Sequence, residues 1–369
     1  MPSPEPTPAT VLTALEGLQD PSARVALVEA GRLRAVVEGH GIRVTVETGA
    51  NEDTRAGIEA EARATLAKAF PDAAVTLRFV QATGTREITS EDPLPGVKNL
   101  VLVMAGKGGV GKSTVASNLT MALARAGHRV GLLDADIYGP SVPTMFGIGG
   151  RPFSTDGKKI EPLERFGVKL MSIGFLLEDP KAAIVWRGPM LHGALQQFLG
   201  DVNWGKLDYL ILDLPPGTGD VALTLSQKTR ATGTVMVTTP QEVAVIDVYK
   251  AVSMCGKLGI PILGVVENES HFVCDGCGKQ HNLFGAGGGQ KVAELAGAPL
   301  LAQIPVDPSV RVWGDQGTPV VQALPQSSVA KAFTELADAV VAEVAKANAG
   351  RGTLSITREG MPARLPILR

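Results

Sequence analysis

Leu100-Val-Leu-Val-Met-Ala-Gly106-Lys-Gly-Gly-Val-Gly-Lys-Ser113 is the stretch that decides the fold. Six uncharged apolar residues run straight into a glycine loop, and the residues from Thr114 to Ala126 that follow read as a helix. Strand, glycine loop and helix stand in the order that a Walker A motif requires. Glycines let backbone N–H groups curl around phosphate oxygens without Cβ clashes. The helix that follows turns its positive N-terminus toward the same anion. The expected nucleotide-binding set is therefore Gly106, Lys107, Gly108, Gly109, Val110, Gly111, Lys112, Ser113 and Thr114. Lys112 is expected on the β- and γ-phosphates and the Ser113 hydroxyl on Mg²⁺. A glycine turn with a chance lysine is the plain alternative, and the flanking strand and helix argue against it.

The same grammar repeats along the chain. Val130–Leu133, Tyr209–Leu212, Thr234–Val237 and Ile262–Val266 are short apolar runs bounded by glycine, proline or aspartate, with helix-length segments between them. That pattern predicts an α/β fold with a doubly wound, mostly parallel sheet covered on both faces. Two of these runs end in acid: Val130-Gly-Leu-Leu-Asp-Ala-Asp136 and Tyr209-Leu-Ile-Leu-Asp213. Open α/β sheets hold ligands at such strand ends. Asp213 is expected in the Walker B role on the metal, Asp134 in support of the metal, and Asp136 as the group that orients the attacking water. Lys112 and Asp136 are expected in the catalytic set, and a resemblance of the loop to deviant Walker A proteins adds Lys107 to it. Aspartates at strand ends also serve as helix caps. Gly217, in the turn after Asp213, suits a loop that shifts with the γ-phosphate.

Upstream lies a smaller unit. Residues 1–10 are proline-rich and lack the basic and apolar regions of a signal peptide, so they read as a disordered tail. Residues 11–80 read as a small α/β domain. A short helix covers Val11 to Leu18, and strands cover Leu33 to Glu38 and Ile42 to Glu47. A helix over Asp53 to Phe70 and an alternating strand at Val75, Leu77 and Phe79 complete it. Residues 81–96 are polar, contain two prolines and read as a linker. Residues 97–349 form the nucleotide domain, with a last helix from Ser328 to about Ala347, and residues 350–369 form a C-terminal tail. The net charge of −2 over 369 residues leaves no global positive field for nucleic acid. No apolar run reaches the roughly 18 residues of a membrane span.

There are three cysteines, too few for a disulfide scaffold, and an intracellular, cytoplasmic setting fits them. Cys255, inside the helix-like Val243–Leu258, is expected to be a small buried hydrophobe. Cys274-Asp-Gly-Cys277 is a CxxC pair. Two thiolates do not complete a tetrahedral Zn²⁺ or a [4Fe–4S] cluster, whereas two chains on a two-fold axis supply four. A structural zinc shared between subunits, a redox pair and plain surface cysteines are the competing readings, and His271 and His281 could join a zinc site.

Taken together these motifs resemble the Mrp family of P-loop iron–sulfur cluster carriers, in the bacterial form with an added N-terminal domain. The resemblance runs from about Asn99 to Val344 and includes the 106–113 loop. It also rests on Asp134-Ala-Asp-Ile-Tyr-Gly-Pro-Ser-Val-Pro143, Trp186-Arg-Gly-Pro189, Asp213-Leu-Pro-Pro-Gly-Thr-Gly-Asp220, Ile304-Pro-Val-Asp307 and Gly314-Asp-Gln-Gly-Thr-Pro319. It implies a P-loop ATPase that works as a homodimer, with Lys107 reaching the partner's nucleotide as in deviant Walker A proteins. It further implies a [4Fe–4S] cluster held between subunits by Cys274 and Cys277 of each chain. ATP and Mg²⁺ would be bound, ATP slowly hydrolysed, and the cluster passed to apo iron–sulfur proteins with help from other assembly factors. Asn268 is implied as the adenine-recognising residue. Where the family reads Asn-Met-Ser this chain has Asn268-Glu269-Ser270, and Cys-Pro-x-Cys is replaced by Cys274-Asp-Gly-Cys277. Thr48–Thr54 lacks the cysteine that such N-terminal domains commonly carry, which implies a docking or structural role there. A MinD/ParA-like positioning ATPase and a zinc-bridged regulatory nucleotide-binding protein are the alternatives. Neither membrane nor nucleic acid is an expected partner.

Overall fold

The computed structural model describes residues 6–39, 41–136, 139–154, 157, 159–176, 188–217 and 220–351. Near the N-terminus, Thr7 caps the helix Pro8–Ala14 by accepting the Thr10 N–H at 3.2 Å. Proline at the first helical position loses nothing, because that N–H has no partner within a helix. Pro8 to Thr10, expected in the tail, are thus the opening turn of a helix that buries Val11. After a short antiparallel pairing of Gln19–Asp20 with Val25–Ala26 come the three strands of the small sheet: β1 (Leu33–Glu38), β2 (Gly41–Thr48) and β3 (Ala74–Gln81). β2 pairs antiparallel with β1 and parallel with β3. The parallel pair needs a crossover, and the helix Glu52–Ala69 provides it. Its Ile58, Ala62 and Leu66 share a core with Ile42, Val44 and Val46 of β2, where helix spacing meets strand alternation.

The larger sheet has eight strands: β4 (Val97–Ala105), β5 (Val130–Asp134), β6 (Leu163–Arg165), β7 (Val168–Ser172), β8 (Leu207–Asp213), β9 (Gly233–Thr238), β10 (Ile262–Glu267) and β11 (Leu300–Gln303). Their order across the sheet is β11-β10-β9-β4-β8-β5-β7-β6. Every adjacent pair is parallel except β6 with β7 at the edge. Chain order reverses around β4, which makes this a doubly wound sheet with its ligand crevice at the carboxyl ends beside β4. All five strands expected from apolar runs are present. β6, β7 and β11 are additional. Lys169 interrupts β7, Leu-Glu-Arg in β6 is polar at an edge, and β11 is four residues long at the other edge. Leu100 to Ala105 are all buried, as a central strand covered on both faces requires.

Residues 81–96 are not a free spacer. Arg86 is buried to 2% exposure and its guanidinium pairs with Asp92 at 2.5 and 2.8 Å. It also donates to the Leu94 carbonyl at 2.8 Å and to Thr229 Oγ1 at 3.0 Å, which ties the segment to the nucleotide domain. The small sheet is fastened nearby. Arg34 bonds Asp208 and the Gly127 carbonyl, Arg78 donates to the Arg125 carbonyl, and Glu47 pairs with Lys98. Asp208 lies at the start of β8 and Asp213 at its end. At about 3.3 Å per residue, the docking face is on the order of 16 Å from the ligand crevice.

Candidate nucleotide and cluster site

β4, β5 and β8 end side by side, and their register sets Asp213 opposite both Val103 and Asp134. From the end of β4 the loop 106–111 rises. A Cβ on Gly106 would stand 2.3 Å from the Asp247 carbonyl carbon in the helix Glu242–Leu258, so no larger residue fits. Gly109 and Gly111 have φ of +82° and +78°, which side chains rarely tolerate. The helix Lys112–Arg125 starts directly on Gly111 and leaves its first N–H groups facing the loop.

Lys112 gathers the acidic groups. Its ammonium donates to Asp213 Oδ1, lies 3.6 Å from Asp136 Oδ2, and lies 3.3 Å from Ser113 Oγ. Asp213 is wholly buried. Burial pushes its carboxyl up, and the Lys112 charge with hydrogen bonds from Lys112 and Ser113 works against that rise. Its second oxygen, Oδ2, is buried with no hydrogen-bond partner among the described residues. Asp134 is also fully buried, and burial together with the Asp213 charge pushes it up to about 7. Asp134 Oδ1 accepts the Asp136 N–H at 3.1 Å, while Oδ2 accepts the Val142 N–H at 3.2 Å and the Ser172 hydroxyl at 3.0 Å. Asp134 therefore shapes the loop that presents Asp136. An orphaned carboxylate oxygen beside a serine hydroxyl is an all-oxygen donor set of the kind that a hard divalent cation takes, so these residues fit Mg²⁺. Lys107 is half-buried within the loop, with no ion-pair partner among the described residues.

From Gly111 a cleft of about 690 Å³ opens away from the acids. Thr114 and Asn268, both in the expected nucleotide-binding set, line it, and its size suits a nucleoside. Asn268 directly follows β10 and donates Nδ2 to the Val110 carbonyl at 2.9 Å. A Cβ on Gly111 would stand 2.1 Å from that Nδ2, so the glycine and the asparagine determine each other's fit. Residues between Ile304 and Asp315 form much of the remaining wall, and no sequence signal gives them that role. Its segments Ile304-Pro-Val-Asp307 and Gly314-Asp-Gln were already distinctive, but nothing in their composition says that they face Asn268.

Cys274 and Cys277 sit on a tight hairpin whose arms are Phe272–Val273 and Gln280–His281. Gly278, at φ +69°, closes the turn by donating its N–H to the Cys274 carbonyl at 2.8 Å. Cys277 is exposed and Cys274 half-exposed. The backbone N–H groups of Cys277 and Gly276, with the Cys277 side chain, hold the Cys274 thiol below its ordinary value, which favours thiolate. Among the described residues no third His, Cys, Asp or Glu joins the pair. His271 is engaged by Ser270 Oγ at 2.6 Å. Cys255 is buried in the core as expected, and burial pushes its thiol up to about 11. Ile137, Tyr138, Trp186, Arg187, Thr218 and Gly219, which carry parts of the quoted motifs, lie outside the described residues. No helix among the described residues is long and apolar enough to cross a membrane.

Comparison with known proteins agrees with this geometry. Residues 96–341 match the family described as "ParA: NUBPL iron-transfer P-loop NTPase". A Deinococcus radiodurans protein named iron-sulfur cluster carrier protein is 44% identical over 362 residues, covering 97% of this chain and 99% of that one. A Synechocystis protein of the same name is 41% identical over 353 residues, covering 92% and 99%. Among solved structures, a nucleotide-binding protein from Archaeoglobus fulgidus in complex with ADP is 40% identical. It covers 63% of this chain and 92% of its own, with a TM-score of 0.55. With the loop, the acidic strand ends and the match over two thirds of its length, this chain belongs to the iron-transfer P-loop NTPases of the Mrp type that its motifs resemble.

Proposed function

We propose that the chain is an ATP-dependent carrier of iron–sulfur clusters, acting in the cytoplasm as a homodimer that holds a [4Fe–4S] cluster between its subunits and delivers it to apoproteins. The observation that carries this reading is the cysteine pair: two thiols on a hairpin, one exposed and one half-exposed, with no further ligand beside them among the described residues, shortly beyond the strand that ends in Glu267. One chain offers half of a four-thiolate site, and a two-fold partner offers the rest.

The nucleotide residues divide the work. The loop N–H groups and Lys112 bind the phosphates. Phosphate oxygens compete with Asp213 for the Lys112 ammonium, which releases the Asp213 carboxylate toward Ser113. Ser113 and Asp213 would hold Mg²⁺, which would supply neutralising charge to the phosphates. Asp136 orients the attacking water, and Asp134 holds the Asp136 backbone in place. Lys107, extending from the loop, reaches the partner's nucleotide, so hydrolysis depends on the dimer. The cluster is cargo: four thiolates bind it, and a change in the dimer lets it go.

The test is iron and sulfide analysis with a visible spectrum after anaerobic reconstitution. About four irons and four sulfides per dimer are expected, lost in a Cys274→Ala variant. Zinc at about one per dimer without the iron–sulfur chromophore would replace this reading with a zinc-bridged regulator.

A further inference from the structure

Glu269 follows Asn268 and lines the same cleft. Its backbone is left-handed, with φ of +54°, one of three such residues other than glycine among those described. That conformation is uncommon for a side chain larger than asparagine and turns up at functional sites. The carboxyl is half-buried and held above its ordinary value by burial, with no offsetting hydrogen bond or cation among the described residues. The cation in the same cleft, Arg311, is paired with Asp315 at 2.9 Å. A half-buried carboxylate without a partner costs stability where it stands, which points to a partner that arrives with the ligand.

Asn268 narrows the choice. One of its two Nδ2 hydrogens is committed to the Val110 carbonyl, so the amide keeps its oxygen as an acceptor beside a single remaining N–H. Two acceptors, one amide oxygen and one carboxylate, then line one pocket. The exocyclic amine of adenine carries two N–H donors, whereas a 6-oxo purine places a carbonyl oxygen at the same position.

We infer that Glu269 is a specificity-determining residue of the nucleotide site: its carboxylate accepts a hydrogen bond from the adenine amine beside Asn268 and repels the 6-oxygen of guanine or hypoxanthine. This deepens the reading of the cleft as a nucleotide site and rests on it. Selectivity by repulsion needs only that the wrong base leave two oxygens facing each other in a partly dry pocket.

The experiment measures equilibrium binding of ATP, inosine triphosphate and purine riboside triphosphate, which lacks any 6-substituent, to the full-length protein and to Glu269→Gln. Wild type is expected to rank ATP tightest, the 6-unsubstituted purine next and inosine triphosphate weakest. Glutamine can turn an N–H toward the 6-oxygen, so the preference for ATP over inosine triphosphate should fall by about tenfold or more. A preference that stays within about twofold of wild type would overturn the inference while leaving the nucleotide site intact. Wild type that binds inosine triphosphate as well as the 6-unsubstituted purine overturns it without recourse to the variant. Failure of wild type to bind ATP at all would remove the nucleotide reading and this one together.

Discussion

Lys112 illustrates how much a single position can carry. Its ammonium is 7% exposed and is held by Asp213, Asp136 and Ser113 at once, so it organises the acids and cancels part of their repulsion. Replacing it with alanine should lower ATP hydrolysis by about 10²-fold or more, since a pre-placed phosphate contact disappears. Steady-state phosphate release checks this, and a variant that hydrolyses at the wild-type rate would remove Lys112 from the site. Lys107 makes the opposite case. With no partner of its own among the described residues, Lys107→Ala should leave single-chain nucleotide binding close to wild type and slow hydrolysis by at least about tenfold. Equal losses of binding and hydrolysis would place Lys107 on its own chain's phosphates instead.

At the level of elements, the nucleotide cleft and the cysteine hairpin are built on one continuous stretch of chain. The parallel pairing of β10 with β11 extends past both strands: the Ile304 N–H donates to the Glu267 carbonyl, the Ser270 N–H to the Ile304 carbonyl, and the Val306 N–H to the His271 carbonyl at 2.7 Å. Phe272 then bridges to Val306, two residues before Cys274. Main-chain hydrogen bonds therefore join the 304–306 wall directly to the hairpin arm, a route by which a shift of that wall would reach the cysteines. Gly111→Ala should disturb this arrangement at its root, because the new Cβ displaces the Asn268 amide. The expected result is ATP affinity weaker by about tenfold or more, measured by titration calorimetry. Unchanged affinity would show that Asn268 is free to move aside. Cys274→Ala, by contrast, alters a half-exposed hairpin position and should leave the melting temperature within a few degrees while iron binding is lost.

The whole molecule adds a second locus of stability, remote from the chemistry. His128 is buried with its ring edge-on to Tyr209 at 5.0 Å, and burial pushes its pKa down to about 4. The unfolded chain takes up this proton near pH 6.5 and the folded chain near pH 4, so stability is greatest above the first value and declines as pH falls toward the second. Between pH 7.5 and pH 5 the loss is about 2 kcal/mol. Urea unfolding at the two pH values measures it, and His128→Phe should flatten the difference. A slope unchanged in that variant would assign the effect to other groups. Beside it, Asp208 is held well below the ordinary carboxylate range: Arg129 donates to it, and Arg34 of the small sheet adds its charge, both outweighing burial. That contribution is present above the unfolded value near 3.9 and is lost as pH falls below it. The contacts between the small sheet and the nucleotide domain therefore weaken in acid.

Much of this was legible from residue order, because it depends on neighbours in the chain. An apolar run followed by GKGGVGKS specifies strand, loop and helix locally, and an aspartate ending an apolar run marks a ligand end of a parallel sheet. Alternation and helical spacing likewise mark the small α/β unit, apart from its first turn, which the Thr7 cap and Pro8 begin inside the proline-rich segment. What the sequence could not determine was adjacency between distant segments. Arg86 and Asp92 sit in a stretch that reads as polar linker, and only their mutual pairing against Thr229 makes burial affordable. The order of β8 between β4 and β5 brings Asp213 to Lys112 across 101 residues of chain. The Ile304–Asp315 wall reaches Asn268 because β11 pairs with β10, and Glu269 acquires its meaning only there. Local propensity is written along the chain, whereas the desolvated carboxylates, the shared lysine and the lined cleft arise from packing between elements far apart in sequence.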